Sequence, residues 1–445
     1  MKKIVLLLTL FGVSFTMNAQ PDSIYRFSLQ QCIQYAYEHQ SKTQNALLDE
    51  KIADARMKEI LGMGLPQISG SADLNYYIEK PTALVPGSNF GRPDLEYVPF
   101  QFNLAYNGQA GVNVSQLLFD GSYIIGVKAA QTFEQLARKQ TNQTKIDVAV
   151  GVSKAYYGVL VGDARLELLN SNIDRLQKTF EDTKAMHDQG FVEQIDVDRL
   201  EIALNNLKTE REKAERLTSL SIYVLKFQMG MSQNGQLQLT DKLSDINAPE
   251  SALLPDSIDY NKRIEMEIIK TQRQLQEYNI KRYKARYLPS FFGYYGLGTT
   301  ANSEDPVILQ KDQRWYWNSI VGVKATFTIF DGTQRYNKIK QESLTLNKID
   351  NGIETLQQGL LLEYNSAKQT YTNALAGFKI QKRNKELAQE IVRVTKIKYN
   401  EGVGTNLELV DAESRLREAE SNYFTAAYEA ILAKIDLDKA LGNIK

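Results

Sequence analysis

Two hydrophobic periods alternate along the chain. Over most of its length apolar residues return every three or four positions, as Leu166, Leu169, Ile173 and Leu176 do. That spacing is the narrow stripe of a coiled helix. With glycine and proline as punctuation, the pattern predicts helices over 28–62, 120–190, 196–230, 257–287, 331–402 and 406–442. At about 1.5 Å rise per residue, the second and fifth reach roughly 100 Å, a length that coiled bundles hold and globular domains rarely do. Ser28, Asp120 and Asp331 are the expected N-caps. Gly190 and Gly402 suit the left-handed position at which a helix ends.

Four segments change to a period of two. In 67–77, Ile68, Gly70, Ala72, Leu74 and Tyr76 alternate with Gln67, Ser69, Ser71, Asp73 and Asn75. In 101–115, Phe102, Leu104, Tyr106, Gly108, Ala110, Val112 and Val114 alternate with mostly polar residues. A third segment, 290–299, is rich in glycine and tyrosine. The fourth places Trp315, Trp317, Val321, Val323, Ala325, Phe327 and Ile329 on one face, with Lys324, Thr326 and Thr328 on the other. Strands of this kind, apolar on one side and small-polar on the other, mark a transmembrane β-barrel. A soluble antiparallel sheet with one wet face alternates in the same way. Two features favour the barrel. Tyr76, Phe102, Phe119, Trp315, Trp317 and Phe330 stand near strand ends, where a membrane aromatic girdle sits. The polar faces are rich in uncharged Asn, Gln, Ser and Thr, as in a wet lumen.

The pattern is written twice. Leu65-Pro66 before the first strand matches Leu288-Pro289 before the third, and proline there disfavours continuation of the preceding helix. Gly111 to Gly121 matches Gly322 to Gly332 without a gap, and Gly190 to Gly230 matches Gly402 to Gly442. Within the latter, Leu204, Ala214, Leu220 and Leu225 coincide with Leu416, Ala426, Leu432 and Leu437. The expected organisation is a signal peptide over 1–19, a first helix/β-hairpin/helix repeat over 20–230, a linker over 231–256, a second repeat over 257–442, and a tail over 443–445.

Composition narrows the function. Net charge is zero, with 24% charged residues, so the basic footprint of a nucleic-acid binder is missing. Two histidines, His39 and His187, and one cysteine, Cys32, leave little stock for catalysis, metal binding or an internal disulfide. The glycines near the strands do not open a helix after a strand, so they fail the dinucleotide pattern. No enzyme, cofactor or metal site is expected. Lys2 and Lys3 followed by an apolar run over 4–15 and Ala19 read as a secretory signal. Gln30-Gln31 before Cys32 are not the small residues of a lipoprotein signal. After the signal no stretch of about 18 apolar residues occurs, so an exported chain of this kind is either soluble or in the membrane as a closed barrel.

Four strands cannot close a membrane barrel, whose smallest single-chain form has about eight, and an open sheet cannot leave its edges bare in lipid. Several chains must contribute. Two would give eight strands with a filled interior and three would give twelve with a usable bore; the residues permit either, and a duct favours three or more.

The doubled unit, its Leu-Pro approaches, its Phe-Asp-Gly exits and the run from Tyr399 to Ala412 (YNEGVGTNLELVDA) resemble the TolC-type outer-membrane efflux family over essentially the whole mature chain. The resemblance implies a mainly α fold with membrane β: long antiparallel coiled-coil helices forming a periplasmic α-barrel, and four strands per chain in a homotrimeric, twelve-stranded outer-membrane β-barrel. It implies a passive export duct of a tripartite efflux or type I secretion system. Its partners would be a periplasmic adaptor, an inner-membrane RND or ABC transporter and outer-membrane lipid. It places acidic rings at the periplasmic aperture on Glu408 and Asp411, three apart on one helical face. It matches Tyr399 and Asp196 to the latch that holds the aperture shut, but puts an arginine where this chain has Gly404, with Arg199 as a candidate replacement. It assigns adaptor docking to the tips Gly190-Phe191-Val192 and Gly402-Val403-Gly404. The rival reading is a soluble periplasmic coiled-coil scaffold or adaptor.

Overall fold

The computed structural model describes residues 24–243, 255, 257–306, 308, 310 and 312–444. The signal-peptide reading of 1–19 and residues 244–254 and 256 of the linker 231–256 lie outside the described residues. In chain order the elements are β1 (Tyr25–Phe27), α1 (Leu29–His39), α2 (Ser41–Gly62), β2 (Gln67–Tyr76), β3 (Ala83–Pro86), β4 (Tyr97–Phe100) and β5 (Tyr106–Phe119). There follow α3 (Gly121–Asp188), α4 (Gln194–Met229), β6 (Leu237–Leu239), α5 (Ile264–Ala285), β7 (Ser290–Ser303), β8 (Tyr316–Thr326), α6 (Gln334–Asn400) and α7 (Asn406–Leu441). The fold is mainly α, with one four-stranded antiparallel sheet in the order β2-β5-β7-β8. None of the described helices is both long and apolar enough to cross a membrane.

Contacts divide the chain into two compact units. The first comprises residues 1–45, 144–262 and 361–445. Here the return helices α4 and α7 pack against α3 and α6. Leu169 and Leu176 of α3 interleave with Leu200, Leu204 and Leu207 of α4. Val392 of α6 packs on Ala412 and Leu416 of α7. Three of the four residue pairs that coincide between the repeats are buried in both copies: Leu204 and Leu416, Ala214 and Ala426, Leu225 and Leu437. Burial of matched leucines at helical spacing supplies most of the stability of such long, weakly amphipathic helices. A separate core joins α1 to α3 and α4 through Cys32, Ala36, Val152, Tyr156, Leu225 and Met229. Burial pushes the Cys32 thiol up to about 12, so it is an inert core side chain.

The expected single helix over 28–62 is broken at Gln40, which lies in an extended conformation between α1 and α2. Ser28 caps α1 with a reciprocal Ser28–Gln31 capping box. At the break the Gln40 side chain accepts from the Lys42 backbone N–H, a capping duty that glutamine rarely signals in sequence. A second reason is tertiary: a side chain at Gly230 would lie 2.7 Å from Gln40 Cα, so the chain passes hard against the end of α4. The same happens at the start of the second repeat. There the expected helix from 257 begins only at Ile264, and a side chain at Gly442 would lie 2.7 Å from the Lys262 carbonyl. A short parallel pairing of β1 with β6 was not anticipated.

The second unit comprises residues 46–143 and 263–360 and contains the sheet. Each hairpin is tied to its helices at the foot. In the first, Asp120 Oδ1 accepts from the Tyr123 N–H at 2.9 Å, and Tyr123 Oη donates to the Leu61 carbonyl at 3.1 Å. In the second, Arg335 grips Asp331 at 2.6 Å and donates to the carbonyls of Arg286 and Thr328 at 2.8 and 2.9 Å. The guanidinium holds the Asp331 carboxyl below its ordinary range. Between β2 and β5 the chain forms the small antiparallel hairpin β3/β4.

Candidate functional site: an amphipathic sheet and two helical tips

Register sorts the sheet into two faces. Directly paired residues share a face, and Ile68, Val114, Tyr295 and Val321 form one row, Gly70, Val112, Leu297 and Ser319 the next, Ala72, Ala110, Thr299 and Trp317 a third. The opposite face carries Ser69 with Asn113, Asp73 with Gln109 and Thr300, and Asn75 with Asn107 and Asn302. Asn107 Nδ2 donates to Asn302 Oδ1 at 2.7 Å, the start of a polar ladder. The four strands hold two charged side chains, Asp73 and Lys324, both on this polar face. The apolar face is bare: Ile68 is 72% exposed, Trp317 72% and Val321 80%. Bare apolar surface of this extent on a sheet demands a partner or a lipid phase.

Aromatic residues stand at both ends of that face. Tyr76 and Tyr106 lie 4.8 Å apart at the hairpin end, and Phe119 faces Phe291 at 6.4 Å at the helix end. From Phe291 to Ser303, the partner of Tyr106, is about 40 Å along the strand at roughly 3.3 Å per residue. Tilted by about 40°, as barrel strands are, that span covers about 30 Å of bilayer thickness. Trp317 sits within β8, and Trp315 just before it lies over Gly108 beside Ile308. Two expectations are corrected. Phe102 is not on a strand of the sheet, because β5 begins at Tyr106; Phe102 instead meets Phe100 edge to face, with ring centroids 4.6 Å apart. The pairing of β8 stops at Thr326, so Phe327 and Ile329 continue the alternation, and Phe330 follows them, without a partner strand.

Among the described residues both outer strands, β2 and β8, are paired on one side alone. An apolar sheet with two open edges is a fragment of a barrel.

In the first unit, α3 turns into α4 and α6 into α7. Gly190 and Gly402 have φ of +79° and +71°, the left-handed conformation that glycine adopts without a Cβ clash. The N–H of Phe191 returns to the Met186 carbonyl at 2.9 Å, and that of Val403 to the Lys398 carbonyl at 3.0 Å, the same closing bond in each turn. Phe191 and Val403 project, 72% and 78% exposed; Val192 is half-buried.

The residues matched to the aperture sit just beyond the second turn. Thr405 caps α7 by accepting from the Glu408 N–H at 3.2 Å. Glu408 and Asp411 are exposed. Asp411 is paired with Arg415 at 2.8 Å, whereas Glu408 forms no ion pair among the described residues. Tyr399 Oη meets Thr183 Oγ1 of α3 at 3.2 Å. Asp196 Oδ1 pairs with Arg199 at 3.3 Å, so that arginine does engage the aspartate, within one helix turn. The Asp196 carbonyl accepts from Asn406 Nδ2 at 2.8 Å. A side chain at Gly404 would meet Lys398 Cβ at 3.0 Å and Tyr399 N at 3.1 Å, so the turn leaves little room there for a larger residue.

Sequence reasoning missed Thr183, Asn406 and a buried polar pair. Asn172 Nδ2 of α3 donates to Glu420 Oε2 of α7 at 2.7 Å, with Glu420 3% exposed. Burial pushes the Glu420 carboxyl above its ordinary range, offset in part by Asn172, Arg175 and Lys385. One turn away Arg175 pairs with Glu413 at 2.8 Å. Only the i, i+3 spacing of Asn172 with Arg175 and the i, i+7 spacing of Glu413 with Glu420, read as facing stripes, could have indicated these links.

An open-edged, one-side-apolar sheet carried on long antiparallel helices defines a subunit of a membrane channel. The sequence profile of the family described as Outer membrane efflux protein matches residues 64–220 and again 262–443. The chain belongs to that family and is an outer-membrane efflux channel. It is 21% identical over 366 residues to the outer membrane protein TolC of Vibrio cholerae, covering 81% of each chain. It is 21% identical over 346 residues to the toluene efflux pump outer membrane protein TtgC of Pseudomonas putida, covering 76% of this chain and 69% of that one. Among solved structures it superposes on CusC with a TM-score of 0.73 at 17% identity, covering 93% and 92% of the two chains. The outer membrane protein VceC of Vibrio cholerae gives 0.70 at 14% identity, with 93% and 96% covered.

Proposed function

We propose that three copies of this chain close one twelve-stranded barrel, β8 of each pairing with β2 of the next, and that the joined helices form the periplasmic part of an export duct. In this reading residues 1–19 direct export, and 20–230 and 257–442 are tandem repeats on either side of the linker 231–256. The double match of one family profile and the paired burial of Leu204 with Leu416 and Leu225 with Leu437 support the doubling. The observation that carries the assembly is the single sheet with one lipid-ready face and two open edges.

The duct is passive and works with a periplasmic adaptor and an inner-membrane RND or ABC transporter. Phe191 and Val403, held out by the turns at Gly190, Gly402 and Gly404, with half-buried Val192 beside Phe191, are the docking points for adaptor hairpins. Glu408 forms the dominant acidic ring of the aperture, with Asp411 weakened by Arg415. Tyr399, through Thr183, and Asp196, through Asn406, tie the two helical hairpins of one protomer together. Tyr76, Phe119 and Trp317 lie at the membrane surface.

Native mass spectrometry of the protein extracted in a non-ionic detergent, with planar-bilayer conductance of the same preparation, tests the assembly. The expected result is a trimer with open-channel currents. A monomer released from membranes by high salt without detergent would instead establish the soluble coiled-coil scaffold.

A further inference from the structure

We propose that a cavity at the foot of the sheet is a binding subsite for small anionic amphiphiles in transit through the channel. The inference rests on the channel reading and adds a class of ligand to it.

The cavity, about 580 Å³, lies among α2, the first turns of α3, and α5, beneath the ends of β5 and β7. That volume is in the range of small-molecule sites. It exists because α3 turns small residues toward it: no atom lies within 4 Å of where a side chain at Gly126 would begin. Met57, Ile60, Phe133 and Leu275 make its walls apolar. Leu117 and Phe292 complete it, and these two are paired in register on the polar face of the sheet. The cavity is therefore continuous with the face assigned to the lumen and not with the face assigned to lipid.

Its charge is one-sided. Arg56, Arg282 and Arg286 line it, and none of them forms an ion pair among the described residues. Their guanidinium groups rest on rings, Arg56 on Phe133 at 5.6 Å, Arg282 and Arg286 on Tyr283 at 5.4 and 5.0 Å. Arg282 Nε is buried with no acceptor. The one acid in the lining, Asp120, has its Oδ1 engaged by Ser122 and the Tyr123 N–H in capping α3. Glu342, whose charge Arg282 also feels, is taken by Lys338 at 2.9 Å and Gln276 at 2.7 Å. Arg282 is half-buried and Arg56 and Arg286 are exposed at the cavity's rim; guanidinium groups stacked beside apolar walls bind carboxylate, sulfonate or phosphate oxygens in bidentate fashion. The apolar walls take the ring or alkyl body. A neutral ligand would leave Arg282 unsatisfied and a cation would be repelled.

The test uses the full-length trimer in neutral-lipid nanodiscs and two fluorescent probes of nearly the same shape. One is 8-anilino-1-naphthalenesulfonate and the other its uncharged parent, N-phenyl-1-naphthylamine. The wild type should bind the sulfonate about tenfold more tightly than the neutral probe. Arg282→Gln with Arg286→Gln should abolish that preference while neutral-probe binding and trimer mass persist. Gly126→Trp should displace both probes. An unchanged sulfonate preference in the arginine variant overturns the proposal. So does loss of sulfonate binding when the nanodisc lipid is made anionic, because the occupant would then be a lipid headgroup. Conductance of the wild type is recorded in parallel: currents without probe preference overturn the subsite alone, whereas absence of currents overturns the channel reading.

Discussion

Tyr399 of α6 and Thr183 of α3 meet hydroxyl to hydroxyl at 3.2 Å, with Thr183 fully buried. The contact joins the two helical hairpins of one chain next to the second turn. A buried hydroxyl pair contributes about 1 kcal/mol net, and removing one partner strands the other. Tyr399→Phe should therefore loosen the closed aperture and raise closed-state conductance in planar bilayers. Thr183→Ala should do the same, and the double variant should add little to either single change. Unchanged closed-state currents in all three would place the latch elsewhere.

Glu408 and Asp411 share a helical face, but Asp411 has a counter-charge beside it, Arg415 at 2.8 Å, and Glu408 has none among the described residues. Rings of unpaired carboxylates favour cations. Glu408→Gln should shift the reversal potential in a salt gradient toward non-selective, and Asp411→Asn should shift it less. Arg415→Gln should increase cation preference by freeing Asp411. Equal effects of the two acid substitutions would count against the role given to Arg415.

The Asn172–Glu420 pair makes a prediction about pH. Glu420 faces Arg165, Asn172 and Arg175 of α3, Glu210 of α4, Lys385 of α6, and Glu413 and Arg417 of its own helix. Burial raises its carboxyl above the ordinary value, so the folded state holds this proton more tightly than the unfolded chain does. The carboxyl then contributes most at low pH, and that contribution is lost as pH rises through its raised value. Glu420→Gln keeps the acceptor for Asn172 and removes the buried charge. It should raise the denaturation midpoint at neutral pH and narrow the gap between pH 5 and 7.5 relative to wild type. A variant less stable than wild type at neutral pH would mean that Arg175 and Lys385 outweigh burial.

Much of this architecture was legible in the sequence, because period and punctuation are local. The alternation of Ile68 to Tyr76 and of Tyr106 to Val114 survives intact as one apolar face. Asp120 and Gly190 do what their types suggest. What was illegible depends on partners. Phe102, Phe327 and Ile329 keep the alternation, but a strand ends where its neighbour stops pairing, and the alternation alone does not carry that information. The break at Gln40 comes from the close approach of Gly230, some 190 residues away in sequence. Thr183, a small polar residue on a helix, carries no signal until Tyr399 is placed beside it.

Gly404 stands where the resemblance led to the expectation of an arginine, and its surroundings leave little room for one. A side chain there would begin 3.0 Å from Lys398 Cβ and 3.1 Å from Tyr399 N. The Gly404 N–H also closes the turn onto the Lys398 carbonyl at 3.0 Å. Gly404→Arg should thus fail to restore an arginine latch. It should cost about 1–3 kcal/mol through overpacking and displace Tyr399 from Thr183, giving higher closed-state conductance. A tighter closed state in this variant would show that the turn yields and that the arginine finds a partner.

The two faces of the sheet give the sharpest contrast. Val112 and Asn113 are adjacent in β5, yet Val112 lies in the apolar row with Gly70 and Leu297, and Asn113 in the polar row with Ser69 and Gly296. Near the middle of the bilayer an arginine on the lipid face of a barrel costs about 2–4 kcal/mol, whereas one on the lumen face is solvated. Val112→Arg should lower the yield of assembled trimer in outer-membrane fractions and its resistance to thermal dissociation in detergent. Asn113→Arg should leave assembly near the wild-type level and shift ion selectivity toward anions instead. In the proposed trimer the two strand edges meet those of neighbouring copies, which makes this contrast a property of the assembly: in a soluble sheet packed on its apolar face within one chain, Val112→Arg would unfold the monomer and Asn113→Arg would change no current.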